Sequence, residues 1–255
     1  MAEEVDREGG HGSRREFVRS VATGVAGVVL APVLLGARPP ILRGARQGMR
    51  IGVIGSGRIG GAVGLQWARA GHEILFSSRH PEELTELVER AGTRTRSGLP
   101  DEAAEFGDVV FIAVPYAALP QVGRDYGLAM RGKVVIDCSN PYPERDGPMA
   151  AEALAMGAGL ASAGFLPGVR LVRAFNAINY RSVEREAHRA GEKVGIPIAG
   201  DDAEAVRVAA SLVTDAGFDP VVVGPLARAS AFDQGTAVYV TNMTAAELRE
   251  ALSLR

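Results

Sequence analysis

The sequence predicts an α/β domain, a doubly wound and mostly parallel sheet with a short C-terminal extension, over residues 49–255. Three observations carry this expectation. From residue 50 onward, short apolar runs alternate with helix signals. The runs are too uniformly apolar for half-solvated strands and suit strands buried on both faces. A glycine-rich string joins the first run to the first helix.

Residues 50–54 form the first apolar run, and residues 58–70 carry helical spacing that stops at Gly71. A second strand is expected over 73–76. Residues 81–91 read as a helix, with Pro81 in its first turn and Gly92 just past its end. Further strands are expected over 108–114, 133–136, 169–174 and 194–199, then a helix over 203–216 and a last strand over 219–223. Thr244 and Glu247 stand at capping-box spacing and open a short C-terminal helix.

Composition narrows the function classes. With 47% hydrophobic and 23% charged residues, the chain is suited to a packed core rather than to disorder. The net charge is −2, and no basic stripe interleaved with aromatics points to nucleic acid. A single cysteine, Cys138, excludes an intrachain disulfide and a cysteine zinc cluster; behind an apolar run it reads as a small buried hydrophobe. His11, His72, His80 and His188 show no metal-ligand spacing, so no metal site is expected.

Residues 1–37 read as a targeting segment. Arg14-Arg15, with Phe17 two positions on, precede an uncharged, mildly apolar stretch over 20–37. These parts resemble a bacterial twin-arginine (Tat) signal, which implies export of the folded protein by the Tat machinery. The expected location is periplasmic or extracytoplasmic, with any membrane attachment made by this segment alone. Its apolar run is shorter than the roughly 20 residues a spanning helix needs. Residues 38–48 read as a linker. Met49 would by itself open a complete nucleotide-binding domain, and a start there implies a cytoplasmic protein.

The strongest motif is Gly55-Ser56-Gly57-Arg58-Ile59-Gly60, which follows a strand and opens a helix. Its spacing suits a dinucleotide: Gly55 for the tight turn, Gly57 for close approach to a pyrophosphate, Gly60 for packing of helix on sheet. The helix N-terminus adds free N–H groups and partial positive charge. The end of the second strand selects the cofactor. An acid there would take the ribose hydroxyls of NAD, whereas this chain has Ser77-Ser78-Arg79, with no acid before Glu82. A guanidinium with hydroxyls suits a 2′-phosphate, so NADP(H) is the expected cofactor. Two further loops leave strands on the ligand side: Ala113-Val114-Pro115-Tyr116, and the loop from Asp137 to Pro143 with Asn140-Pro141. A third segment, 173–180, carries Asn176 toward the expected nicotinamide.

Taken together, the opening at Met49, the Ser77-Ser78-Arg79 turn, Asn140-Pro141, the 172–176 segment (VRAFN), Gly200-Asp201-Asp202 and Gly217-Phe218 resemble the NADPH-dependent coenzyme F-420 reductase family. The resemblance spans nearly all of residues 49–225. It implies a Rossmann-like fold and direct hydride transfer between NADP(H) and a deazaflavin of the F-420 type, or another small redox partner. The turn departs from the family in carrying His80, Glu82 and Glu83 instead of further basic residues, and the tail over 229–239 has no role assigned by the resemblance. Two alternatives stay open: a reductase of small imines or ketones, and a non-catalytic NADP-binding sensor or scaffold. A homodimer is compatible with the sequence without being specified by it.

Overall fold

A computed structural model of the chain describes residues 48–254; residues 1–37, expected to be a twin-arginine signal, and most of the expected linker lie outside the described residues. Strand β1 (Arg50–Ile54) is followed by helix α1 (Arg58–Arg69), β2 (Glu73–Ser77), a 3-10 turn (Pro81–Leu84) and α2 (Thr85–Ala91). Next come β3 (Thr95–Gly98), α3 (Pro100–Phe106), β4 (Val109–Ile112), a second 3-10 turn (Tyr116–Ala118) and α4 (Leu119–Met130). Strand β5 (Val134–Asp137) leads through α5 (Pro143–Asp146), α6 (Pro148–Met156) and α7 (Ala158–Phe165) to β6 (Arg170–Arg173). The remainder is α8 (Tyr180–Glu186), β7 (Gly195–Gly200), α9 (Ala203–Asp215), β8 (Asp219–Gly224), a 3-10 segment (Leu226–Phe232) and α10 (Ala245–Ala251).

The strands pair into one eight-stranded sheet of order β3-β2-β1-β4-β5-β6-β7-β8. Strands β1 to β6 are parallel, in the order that creates a dinucleotide crevice where it reverses, between β1 and β4. Strand β7 then runs antiparallel to β6, with Arg173 opposite Ala199, and β8 pairs parallel with β7. The fold is thus Rossmann-like α/β, with a reversed β7–β8 edge beyond the parallel core.

Side-chain alternation splits the core between the two sheet faces. Val53, Phe111, Ile136 and Val172 pack under α1, α8 and α9 with Trp67 and Leu212. Ile54, Val110, Val135 and Leu171 pack under α3, α4 and α7 with Leu119 and Met130. The indole N–H of Trp67 donates to the Leu212 carbonyl at 2.7 Å, joining α1 to α9. A third cluster, including Val221, Phe232, Val238 and Leu248, seals the β7–β8 edge under α10 and the tail.

The expected helix over 81–91 divides into the 3-10 turn and α2. Strand β3 (TRSG) escaped the pattern because it is a polar edge strand that buries only Gly98. Helix α10 starts at the expected capping box: the Thr244 hydroxyl accepts from the Glu247 N–H, and the Glu247 carboxylate accepts from the Thr244 N–H at 2.7 Å. Among the described residues, no helix is long and apolar enough to cross a membrane.

Candidate functional site

The glycine string turns the chain from β1 into α1. Gly55 has φ +95°, a conformation L side chains rarely adopt, and a Cβ there would lie 2.6 Å from the Ala113 carbonyl. Gly57 is the N-cap of α1, and no side chain caps this helix end. A Cβ at Gly57 would meet nothing within 4 Å, so the backbone at this helix start borders open space. The first-turn N–H groups are left without an intrahelical partner, an arrangement that suits a phosphate. The Ser56 N–H donates to Ser77 O at 3.0 Å, while its Oγ is buried without a hydrogen-bond partner. That buried orphan hydroxyl beside an uncapped helix start fits a phosphate oxygen.

Two clefts meet over the end of β4. The larger, about 810 Å³, is lined by Gly55, Ser56, Gly57, Ser77, Ser78 and Arg79 on one side. The smaller, about 470 Å³, is lined by Arg58, Ile59, Asn140, Tyr142, Asn176 and Tyr239 among others. Ala113, Val114 and Pro115 line both, so the loop after β4 is the shared ridge. Arg79 is exposed, makes no ion pair among the described residues, and is the one basic side chain lining the larger cleft, which Glu83 and Asp125 also border. Arg58 stands over the Tyr180 ring at 5.5 Å, a cation–π contact at the mouth of the smaller cleft.

Beneath the smaller cleft lies a buried ionic cluster. Asp137 and Arg173 are register partners at the ends of β5 and β6 and point to the same face. Arg173 Nη1 donates to Asp137 Oδ2 at 2.8 Å and to Ser139 O at 2.6 Å, and Nη2 donates to Asp233 Oδ1 at 3.3 Å. Burial acts to lower the Arg173 pKa, but the Asp137 and Asp233 carboxylates outweigh it and hold the guanidinium above its ordinary value. Asp137 also accepts from the Ser139 N–H and from a short Ser139 hydroxyl bond, which shapes the loop before Asn140.

Above this cluster, Phe175 adopts φ +61°. Its ring packs edge-on against Trp67 and Phe111 at 5.8 and 6.0 Å, so the aromatic core holds the strained backbone that delivers Asn176 to the cleft. Asn176 Nδ2 donates to Phe232 O at 3.3 Å, while its Oδ1 is buried without a partner. Asn140 Nδ2 donates to Asn176 O at 2.8 Å and to the Tyr239 hydroxyl at 3.3 Å. Tyr142 and Tyr239 share a hydrogen bond of 2.5 Å between their phenols.

The structure thus brings Gly55, Ser56, Gly57, Arg58, Ile59, Ser78, Arg79, Ala113, Val114, Pro115, Asn140 and Asn176 around one crevice. Gly60, Pro141 and Ser77, also expected beside the cofactor, have structural roles here. Gly60 lines neither of these clefts; a Cβ there would lie 2.0 Å from Gly55 O, so its role is packing. Pro141 is buried and lines neither cleft, so it shapes the turn instead of touching a ligand. The Ser77 hydroxyl donates to Val53 O at 2.7 Å inside the sheet, which leaves Ser78 and Arg79 as the polar groups of that turn. Tyr116 also turns inward: its hydroxyl donates to Ala158 O at 3.1 Å, and burial pushes the phenol up to about 12. Tyr142 and Tyr239 were missed as a pair because 97 residues separate them: Tyr142 lies in an expected ligand-side loop, but no local spacing ties that loop to the tail.

Residues 50–141 match the family described as NADP oxidoreductase, coenzyme F420-dependent. The F420-dependent NADP reductase of Methanothermobacter marburgensis is 31% identical over 144 residues, covering 51% of this chain and 64% of that protein. The metalloreductase STEAP3 of Rattus norvegicus is 25% identical over 193 residues, covering 72% of this chain and 36% of that protein. The chain therefore spans between about a third and two thirds of the length of these curated relatives. A crystal structure from Arthrobacter sp. FB24, provisionally assigned as an F420-dependent NADP reductase, superposes with a TM-score of 0.65 at 20% identity, covering 77% of this chain and all of that one. By fold and by these matches, the described domain is a Rossmann-like domain similar to the NADP oxidoreductases of the coenzyme F420-dependent family.

Proposed function

We propose that the domain binds NADP(H) along the crevice and transfers a hydride between its nicotinamide and a small organic redox partner in the smaller cleft. The observation that carries this reading is the continuity of the two clefts over Ala113, Val114 and Pro115, beside the uncapped start of α1. In this reading the α1 N-terminus and Ser56 hold the pyrophosphate, Ser78 and Arg79 hold the 2′-phosphate, and the ridge after β4 supports the chain between them. Asn140 and Asn176 then border the nicotinamide end. The bound nicotinamide supplies the hydride, and the protein supplies position and exclusion of water.

A deazaflavin of the F-420 type is the first partner we propose, supported by the matched family and the archaeal relative. The test mixes the full-length protein with NADP+ and reduced F-420 and follows NADPH and oxidised deazaflavin together by absorbance. Coupled formation of both, with little turnover on NAD+, is the expected result. NADPH binding without turnover would refute the deazaflavin and favour another acceptor or a non-catalytic module. Absence of NADP(H) binding would refute the reading as a whole.

A further inference from the structure

The tail over 229–239 is anchored directly behind the smaller cleft. Asp233 accepts from Arg173 Nη2 and from the Ala158 N–H at 3.1 Å, which fixes the start of the tail to β6 and α7. The Val240 N–H donates to Ala177 O at 2.9 Å, with Val240 at φ +55°, a rare conformation for a β-branched residue. Between these two anchors the chain delivers Tyr239 into the cleft against Tyr142. Backbone strain at both Phe175 and Val240 converges on the same small volume.

Counting protons at this pair shows an unused donor. Each phenol has one O–H, and the single hydrogen bond between them uses one. Asn140 Nδ2 donates to Tyr239, so it accepts no phenolic proton. No other acceptor among the described residues takes a proton from either hydroxyl. One phenolic O–H therefore remains to point into the cleft, whichever tyrosine donates within the pair. Burial, then the Tyr142 contact, hold the Tyr239 phenol well above its ordinary value.

We propose that Tyr142 and Tyr239 form a proton-donating pair, and that the hydride acceptor is a polarised C=N or C=O compound whose heteroatom takes this proton. The inference rests on the hydride-transfer reading above and specifies its acceptor class. Hydride arriving at the carbon moves a π pair onto the heteroatom, directly in a simple imine or ketone and through the conjugated ring in a deazaflavin, and the free phenol gives its proton there. The phenolate so formed is reprotonated from water through its partner hydroxyl. The sum is NADPH, one proton and the unsaturated acceptor giving NADP+ and the reduced acceptor, with both electrons from the hydride. A bare metal ion has no atom to take that proton.

The test uses the full-length protein labelled with carbon-13 at tyrosine Cζ, with Tyr142→Phe and Tyr239→Phe assigning the two resonances. NADP+ is added first. Oxidised F-420 and 2-methyl-1-pyrroline, a cyclic imine, are then added in separate samples. The expected result is a shift of one of the two resonances with at least one of these probes and not with NADP+ alone. The probe that produces it distinguishes a deazaflavin from a simple imine. In turnover with that probe, the double Phe variant is expected to lose about 100-fold in kcat. Its KM for NADPH should stay unchanged, and the solvent deuterium effect of the wild type should vanish. Silent resonances with both probes while NADP+ binds, or a double variant with wild-type kcat and isotope effect, would overturn the proton-donating pair and leave the cofactor reading standing. Failure to bind NADP(H) at all would overturn both.

Discussion

Arg173 and Asp137 form an ion pair of 2.8 Å in which neither side chain is exposed, directly under the cleft that Asn140 and Asn176 border. Its partners sit on three separate elements: β5, β6 and the segment after the last 3-10 stretch. Removing one partner from such a cluster leaves uncompensated buried charge. Arg173→Met is expected to cost about 3–5 kcal/mol in urea unfolding. Arg173→Met combined with Asp137→Leu should recover part of that loss, because one buried carboxylate instead of two is then unpaired. A double variant no more stable than the single would show that the pair does not act as a charge unit.

Gly57 and Gly60 separate ligand approach from packing. A side chain at Gly57 enters open space, so Gly57→Val should leave the melting temperature close to wild type. The same substitution should raise the dissociation constant for NADPH at least tenfold, as it fills the pyrophosphate approach. Gly60→Ala should instead lower the melting temperature, because its Cβ collides with Gly55 O at 2.0 Å. Calorimetry and fluorescence titration read the two effects independently, and equal affinity for NADPH in Gly57→Val would refute the placement of the phosphates.

In the proposed reading, cofactor selection rests on Arg79. It is the one basic side chain lining the larger cleft, and Glu83 and Asp125, which line the same cleft, disfavour a phosphate. Arg79→Ala is expected to weaken NADPH about 10- to 100-fold, the size of a lost charge-assisted hydrogen bond, and to leave NADH nearly unchanged. Equal losses for the two cofactors would place the 2′-phosphate elsewhere.

Asp202 gives a pH-dependent signature. Its hydrogen bond to Arg170, then those from the Ala205 and Glu204 N–H groups at the start of α9, hold its carboxyl far below the ordinary 3.8. A carboxylate depressed in the folded state adds stability above its unfolded pKa and loses it as pH falls toward the folded value. Asp202→Asn keeps an N-cap oxygen but removes the charge. The variant should therefore be less stable than wild type at neutral pH, with the gap closing below about pH 4. A gap independent of pH would mean that the charge is not what matters.

Cys138 is the one cysteine of the chain and is buried at the end of β5. Burial, then the nearby Asp137 carboxylate, push its thiol well above the ordinary range. A thiol-specific reagent should react with the native protein far more slowly than with the protein in denaturant. Rapid labelling of the native chain would refute that environment.

The sequence by itself determined the features that arise from neighbours in the chain. The apolar runs that became β1, β4, β5 and β6, the glycine loop at 55–60 and the Thr244–Glu247 cap are set by residue spacing and backbone freedom within a few positions. The polar edge strand β3 left no such pattern, since it draws its pairing from β2 and not from apolar residues of its own. Only the tertiary structure decided which polar groups remain available for chemistry. Ser77 turns its hydroxyl into the sheet and Pro141 is covered, whereas Tyr239 crosses 97 residues to meet Tyr142. Arg173 reads as an ordinary strand-end charge until β5 and the tail bury it between two carboxylates. The physical reason is that side-chain direction and burial depend on which distant elements close around a residue, and local spacing carries no record of them.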